Sequence, residues 1–528
     1  MKTIEKDILL ILIEESRFIN LKELSSKLKR HNLGIRSIQR EMKNLENANR
    51  IDVSGNASTT QYCIKDIQQT YPGAEFLYVY KNNVIIGQLF KLKDRYRFYY
   101  DSEYLAKYIE AIPTLSLGVK STDFDNIPPI FEENIPEGIN RDILETTHKT
   151  VDEFEILNIM DDNIGDLCFA KAKEKCYINE EMASGYLNNI DEILGTNSKI
   201  NLLEGFKFDM GDAEIFPEAY DLSKLQMIQS HGISGFQYKR LVNIDFNNKV
   251  ISVNEHSHEY IFKPFSKLKS NKDSNHYFPH ISLNEHLHIS FAKNELGLQA
   301  PYSAIVKRDE DEEYHYVVKR FDRLGVNRFA KSCFAVFLGL RSESKYDTTS
   351  EKMFKRIAKE LISPTEKMSL LKHYLYSTII IHEDLHAKNL SLIYDKSKVL
   401  FSPLYDVACT GCYDSTQGYE SRLTINGKQI NIRPNDFKPL CKLLSIDFKE
   451  FRAAAKDMVG KYIDNMPSYF DEAQKLGSMP FYRKKLVKKR GHSEVVWKVA
   501  DKPIEFVDVL REHHILRSKS LKELGWLF

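Results

Sequence analysis

The chain has 528 residues, 42% hydrophobic and 28% charged, with a net charge of +1 at pH 7. That length exceeds what one core organises and points to three or four domains. The near-neutral charge leaves no global field to carry the protein to nucleic acid or an anionic membrane, and no run of about 18 apolar residues reads as a membrane helix. The N-terminus, Met1-Lys2-Thr3-Ile4-Glu5-Lys6-Asp7, turns acidic too early for a signal peptide. Seven scattered cysteines fit reduced thiols in a cytoplasm, which is where the chain is placed.

Residues 1–65 read as a compact unit. Ile4, Ile8, Leu9, Ile11 and Leu12 form a helical stripe over Ile4–Glu15. Asn20 is a plausible N-cap, with Glu23 as its capping-box partner, for a second helix over Leu21–Arg30. Gly34 breaks the chain. A third helix runs from Ile35 to Asn49, with Ile38, Met42 and Leu45 on one face and Arg36, Gln39, Arg40 and Lys43 on the other. Ile51-Asp52-Val53 and Gln61-Tyr62-Cys63-Ile64 read as strands around a polar turn. Three helices and a β-wing predict a winged helix whose third helix enters the major groove of DNA. Arg36, Ser37, Gln39 and Arg40 would meet the DNA there, with Lys43 on a phosphate. Twelve Lys and Arg against eight Asp and Glu make this unit more basic than the whole. Ile35-Arg36-Ser37-Ile38-Gln39-Arg40-Glu41-Met42 resembles the recognition helix of DeoR-type winged helices. The bland alternative is a helical interaction module with a solvated basic face.

Residues 74–210 read as mixed α+β. Phe76–Tyr80, Val84–Leu89 and Tyr96–Tyr100 are predicted strands, with Asn82-Asn83 as a hairpin turn. From residue 215 the pattern changes. Gly232-Ile233-Ser234-Gly235-Phe236-Gln237-Tyr238-Lys239 is a small-residue loop before a strand at Arg240–Ile244, and such loops let backbone amides approach phosphates. Tyr260-Ile261-Phe262-Lys263 is a strand ending in Lys, the place of a lysine that holds α/β-phosphates. Alone, the loop reads as any turn, and the Lys reads better as a surface residue at a strand end. His256, His258, His276, His280, His286 and His288 read as surface histidines rather than a metal site. Asn284–Leu296 is a predicted helix, and Tyr314–Arg323 a strand running into a polar segment. Most of 325–380 and 436–528 reads as helix.

Asp384-Leu385-His386-Ala387-Lys388-Asn389, then Asp406 after a hairpin predicted at Ser391–Phe401, is the polar equipment of phosphoryl transfer. One acid orients the accepting hydroxyl, while an Asn and a second acid hold Mg²⁺ against ATP phosphates. Mg²⁺ asks for oxygen ligands and only one or two carboxylates. Cys409-Thr410-Gly411-Cys412, without a second pair, reads as two loop thiols rather than zinc or redox chemistry. Lys484-Lys485-Leu486-Val487-Lys488-Lys489-Arg490 reads as a solvated helix face.

The ordered set Gly-Ile-Ser-Gly-x-Gln-x-Lys, Ile-Phe-Lys-Pro, Lys-Arg-Phe-Asp-Arg, Asp-x-His-x-Lys-Asn and Pro-Leu-Tyr-Asp resembles the HipA family of bacterial serine/threonine kinases of toxin–antitoxin modules. Phe131-Glu132-Glu133-Asn134-Ile135-Pro136-Glu137-Gly138 resembles its N-terminal subdomain. The resemblance covers roughly residues 75–460. It implies an α+β, bilobal protein-kinase-like fold, with a HipA-like subdomain (74–210), a kinase N-lobe (215–325) and a helical C-lobe (326–528); it does not extend to the winged helix read at 1–65 or to the last 60 or so residues. It implies Asp384 as catalytic acid with Lys263. Asn389 and Asp406 would be the Mg²⁺ ligands. ATP would meet Ser234, Gly235, Gln237, Lys239, Lys263, the hinge at Lys319 and Phe321, and Asp322 and His386 at the ribose. Gly232 stands where relatives often carry an autophosphorylated Ser, leaving Ser234 as the candidate. The family implies a protein substrate, in relatives an aminoacyl-tRNA synthetase. A HipB-like antitoxin and a homodimer are further implied partners, and the fused winged helix adds promoter DNA. The competing readings are a DNA-binding regulator with a catalytically inactive kinase-fold sensor, and a small-molecule kinase.

Overall fold

A computed structural model of the chain describes residues 2–28, 34–82, 84–108, 110–160, 162–173, 185–220, 237–253, 259–488 and 495–528. The chain divides into two compact units, residues 1–135 with 150–179, and residues 136–149 with 180–528.

The first unit begins with helices Thr3–Glu15, Leu21–Lys27 and Ile35–Asn47. Ile8, Leu9, Leu12, Leu24, Ile38, Met42 and Leu45 are buried, as their spacing predicts. Asn20 caps the second helix by accepting from the Glu23 amide at 2.9 Å. Glu23 does not complete a capping box. Its carboxylate pairs with Arg17, an opposite charge within reach. A three-stranded antiparallel sheet follows, with Gln61–Ile64 between Ile19–Asn20 and Ile51–Ser54. The two-residue strand at Ile19 is too short for a period-2 pattern to reveal.

The same unit carries a five-stranded antiparallel sheet in the order Thr122–Phe124, Tyr96–Tyr100, Val84–Lys91, Glu75–Lys81, Leu167–Ala170. Its centre needs glycine at Gly87. A Cβ there would stand 2.3 Å from the Tyr99 carbonyl oxygen and 2.6 Å from the Phe98 ring. The position adjoins a register shift at Val79/Tyr80, where a strand glycine commonly sits.

The second unit is built on a six-stranded sheet in the order Ser303–Val306, His315–Lys319, Tyr260–Lys263, Arg240–Asp245, Val250–Ser252, Lys207–Asp209, antiparallel except for the last pair. Val242, Ile251, Phe262, Ala304, Val306 and Val317 form its core. Helix Ile281–Asn294 lies against this sheet and is buried along nearly its whole length. His280, His286 and His288 are buried with it, against the expectation of surface histidines. Each has a polar partner. His286 Nε2 accepts from the Asn201 amide at 2.9 Å and its Nδ1 lies 2.8 Å from Ser303 Oγ; burial pushes its pKa down to about 3, so it stays neutral. His276 is exposed, and His256 and His258 lie outside the described residues.

The remainder is largely helical, with Pro364–Ile379, Phe448–Asn465, Pro467–Gln474 and Phe506–Glu523 the main elements. The predicted hairpin is present as Ser391–Asp395 and Lys398–Phe401, and Ala330–Cys333 adds a third antiparallel strand. Lys484–Lys488 is a strand paired with Val495–Val499, not a helix face. Cys409 and Cys412 are free and buried, with Cys409 Sγ 3.4 Å from His513 Nδ1. Cys168 is disulfide-bonded, against the expectation of seven reduced thiols. Among the described residues no helix is long and apolar enough to cross a membrane.

Candidate functional site

Strand Tyr260–Lys263 points its last side chain into the protein, and Lys263 is 3% exposed. A buried ammonium needs counter-charge. Lys263 Nζ has two: Glu285 Oε1 at 2.7 Å and Asp406 Oδ1 at 2.5 Å. Burial works against the ammonium, but the two carboxylates outweigh it and hold its pKa above the ordinary lysine range. Burial raises the pKa of Glu285, opposed by Lys263. Asp406 shows the opposite balance. Burial alone would raise it, yet Lys239 and Lys263 keep it well below the usual carboxylate range. Lys239 Nζ is 3.8 Å from Asp406 Oδ2.

Asp406 has φ 57°, a left-handed conformation that costs energy for a residue with a Cβ. Its neighbours lock it there. The Tyr405 hydroxyl donates to the Lys388 carbonyl at 2.7 Å and lies 2.7 Å from Ser391 Oγ, lacing the acidic turn to the loop before the hairpin. Asn389 Nδ2 donates to Asp406 Oδ2 at 3.3 Å, and Asn389 Oδ1 accepts from the His386 amide at 3.0 Å. Burial pushes His386 down to about 4, so its ring is neutral and Nδ1 accepts from the Lys388 amide at 3.2 Å.

Asp384 is exposed, and the Tyr346 hydroxyl donates to its Oδ1. Burial and this carboxylate raise the Tyr346 pKa, so the phenol remains a donor. Asp384 and Asp406 both act electrostatically on Lys269 and His386, so the two acids share one neighbourhood. Adjacent Glu383 accepts from the amides of Gln417 at 3.0 Å and Tyr419 at 2.7 Å, anchoring the loop beyond.

The structure therefore brings together Lys239, Lys263, His386, Asn389 and Asp406, with Asp384 near them. Gln237 Nε2 donates to the Pro264 carbonyl at 3.3 Å, at the end of the Lys263 strand. Ser234 and Gly235 lie outside the described residues. Lys319 ends strand His315–Lys319; its amide donates to the Tyr302 carbonyl and its Nζ to the Glu192 carbonyl, both at 2.8 Å. Phe321 is buried with its ring 5.3 Å from that of Tyr405. Asp322 is buried in ion pairs with Arg320 and Arg323, each at 3.0 Å. On the first unit's third helix, Arg36, Gln39, Arg40 and Lys43 are exposed and Ser37 is half-buried.

Sequence reasoning missed Glu285, the partner of Lys263. No local signal marked it, since Glu285 stands among Asn284, His286 and His288 in a helix of mixed polar and apolar residues. It also missed Tyr346, whose contact with Asp384 spans 38 residues.

Among the described residues no three His, Cys, Asp or Glu side chains could hold a metal ion together. One carboxylate and one carboxamide side by side, Asp406 and Asn389, nevertheless suit the sparse protein ligation of Mg²⁺, which draws its other ligands from water and phosphate.

The HipA N-terminal domain family matches residues 77–169 and the HipA-like C-terminal domain family residues 231–469. A "Putative kinase" of Haemophilus influenzae is 28% identical over 206 residues, 36% of this chain and 56% of that protein. "Putative kinase Y4dM" of Sinorhizobium fredii is 33% identical over 94 residues, 18% of this chain and 23% of the other. The chain thus spans about half the length of the first relative and about a quarter of the second. A solved complex of the Shewanella oneidensis MR-1 toxin–antitoxin proteins HipA and HipB with operator DNA shares the fold, with a TM-score of 0.57 at 17% identity over 85% of this chain and 97% of that one. With two successive HipA domain families matched in order over more than half of its length, on an α+β fold like that of a HipA complex, the chain belongs to the HipA family.

Proposed function

We propose that this protein is a cytoplasmic, Mg-ATP-dependent serine/threonine protein kinase, the toxin of a toxin–antitoxin module, with its own DNA-binding winged helix. The observation that carries the reading is Lys263 held between Glu285 and Asp406, with Asn389 against the same Asp406. A strand Lys paired to a helix Glu, beside an acid and an Asn suited to Mg²⁺, is the constellation that positions ATP in kinases. In this reading Lys263 and Lys239 meet the phosphates, while Gln237, Ser234 and Gly235 belong to the loop over them. Lys319 and Phe321 present backbone to adenine, and His386 faces the ribose. Asp322 would join it only by loosening its pairs with Arg320 and Arg323. Asn389 and Asp406 would hold Mg²⁺, which would supply charge neutralisation at the phosphates. Asp384 accepts the proton of the substrate hydroxyl, and Ser234 is the candidate for self-modification.

The test is label transfer from γ-³²P-ATP with Mg²⁺ to a protein mixture from the host cell. Wild type is expected to yield phosphoserine or phosphothreonine, and Asp384→Ala to lose at least about a hundredfold of the rate. ATP binding without turnover in wild type would leave the inactive sensor as the better account.

Support for the DNA-binding half comes from the exposed cationic face of the third helix and from the neighbour whose complex includes HipB and operator DNA. The same neighbour favours a HipB-like antitoxin as partner. A homodimer and a translation-factor substrate such as an aminoacyl-tRNA synthetase rest on family resemblance alone. Arg36→Ala and Arg40→Ala are each expected to weaken binding to DNA upstream of the gene by about 1–3 kcal/mol if they read bases, or to lower the salt slope by about one if they meet phosphate. Mobility shifts across a salt series distinguish the two, and unchanged shifts for both variants would remove the assignment.

A further inference from the structure

Residues 136–149 belong by contact to the second unit, although the chain on either side belongs to the first. The segment opens with Pro136-Glu137-Gly138 and continues as helix Gly138–His148. Gly138 has φ 56°, a bend that glycine adopts without strain and that leaves Glu137 at the helix entry.

Two side chains of this segment reach the neighbours of the site. Glu137 Oε1 accepts from Lys388 Nζ, and its Oε2 lies 3.3 Å from Lys345 Nζ. All three side chains are at most 16% exposed. Lys388 directly precedes Asn389 and also donates to Ser342 Oγ at 3.0 Å. Lys345 directly precedes Tyr346, whose hydroxyl donates to Asp384. Three residues along, the Asn140 carboxamide brackets the backbone of Lys239. Its Nδ2 donates to the Lys239 carbonyl at 2.8 Å, and its Oδ1 accepts from the Lys239 amide at 3.0 Å.

We infer that Glu137 and Asn140 are positioning residues that fix the catalytic loop and the phosphate-side lysine from outside the site. The inference rests on the kinase reading above. The charge arithmetic explains why an acid is required. Lys345 and Lys388 converge on one point with little water around them, and Glu137 is the carboxylate between them. Without it the two ammoniums repel. The acids within the site, Asp384 and Asp406, then become the alternative counter-charge for Lys388, in competition with the cation and the substrate proton. Asn140 acts differently. Its two hydrogen bonds hold the chain at Lys239, whose Nζ faces Asp406, and so set where a ground-state phosphate contact falls.

The two residues therefore predict different kinetics. Glu137→Gln keeps the shape and removes the charge. It is expected to lower kcat by roughly ten- to a hundredfold with little change in KM for ATP. Glu137→Asp, which restores the charge one methylene short, is expected to recover part of that loss. Asn140→Ala is expected to raise KM for ATP by about five- to tenfold with a smaller effect on kcat. Steady-state kinetics on the full chain, with thermal melts of each variant, read these out. If wild type transfers no label, the kinase reading fails and this test does not apply to it. If wild type is active while Glu137→Gln and Asn140→Ala both stay within about twofold of it in kcat and KM, the inference is overturned. Equal activity of Glu137→Gln and Glu137→Asp would also overturn the charge argument. Should Glu137→Gln fail to fold, the KM shift of Asn140→Ala decides alone.

Discussion

Asp406→Asn is expected to lower phosphoryl transfer by at least about a hundredfold, the scale on which a pre-organised charge at a reacting phosphate acts. The substitution is a clean probe of charge. Asn tolerates the left-handed φ of 57° that position 406 adopts, so backbone strain does not confound the result. What disappears is the negative charge that faces Lys263 at 2.5 Å and Lys239 at 3.8 Å. Lys263 keeps Glu285. Lys239, buried and already held below the ordinary lysine range by burial despite Asp406, loses the leading counter-charge. Stability should therefore fall with activity, and the linkage sign is defined. The Asp406 pKa is depressed in the folded state, so its contribution is present above the unfolded carboxylate value and is lost as pH falls through the lower folded one. In wild type that loss adds to acid unfolding; in Asp406→Asn this component of the acid limb should be absent. Radiolabel transfer at saturating ATP and melting points from pH 7 downward measure both effects. An Asp406→Asn protein as active as wild type would remove Asp406 from the metal role.

How much of this site could be read from the linear chain follows from where its energetics lie. Lys263 and Asp406 were singled out as members of an ordered set of motifs, since a Lys at a strand end taken alone reads as a surface residue. Glu285 was not, because helix Ile281–Asn294 is buried on all sides. A helix with no solvent face has no amphipathic period to mark which polar residue is special. His286 and His288 read as surface residues in the sequence, and they are buried together with Asn284 and Glu285. Their partners are distant in the chain, such as Cys409 for Asn284 and Asn201 for His286, and no local pattern supplies them. The same reason hid strand Ala330–Cys333. Ala-Lys-Ser-Cys has weak strand propensity and is extended because Ser391–Asp395 pairs with it. In Lys484–Lys488 the charges suggested a solvated helix, but the pairing partner Val495–Val499 makes a hairpin the better hydrogen-bonded solution. The three N-terminal helices, by contrast, carry their apolar stripes within single segments and were legible to within about three residues.

Arg517→Ala is expected to destabilise the second unit by about 3–5 kcal/mol, the cost of stranding a buried charge. Arg517 is 3% exposed on the last helix, Phe506–Glu523. Its Nη1 contacts Glu420 Oε1 at 2.6 Å, and Glu420 is buried as well. Its Nε and Nη2 donate to the carbonyls of Ile379 at 2.9 Å and Thr378 at 3.0 Å. Those carbonyls end helix Pro364–Ile379, where the last backbone acceptors have no partner within the helix and the dipole favours a cation. Alanine removes the guanidinium, the cap and the counter-charge together. Lysine keeps the charge but cannot supply the fork, so Arg517→Lys should recover only part of the loss. Arg511, on the same helix but bonded to exposed Asp471, sets the contrast, since Arg511→Ala should cost less than about 1 kcal/mol. The effect should extend to the site. Helix Pro364–Ile379 runs into Ile381, a β-branched residue at φ 57°, three positions before Asp384. A frayed helix end relaxes that turn and frees the loop it presents. Urea midpoints should therefore order wild type above Arg517→Lys above Arg517→Ala, with kcat following the same order below the transition. If Arg517→Ala matches Arg511→Ala in stability, the C-terminal helix is not the support of the catalytic loop.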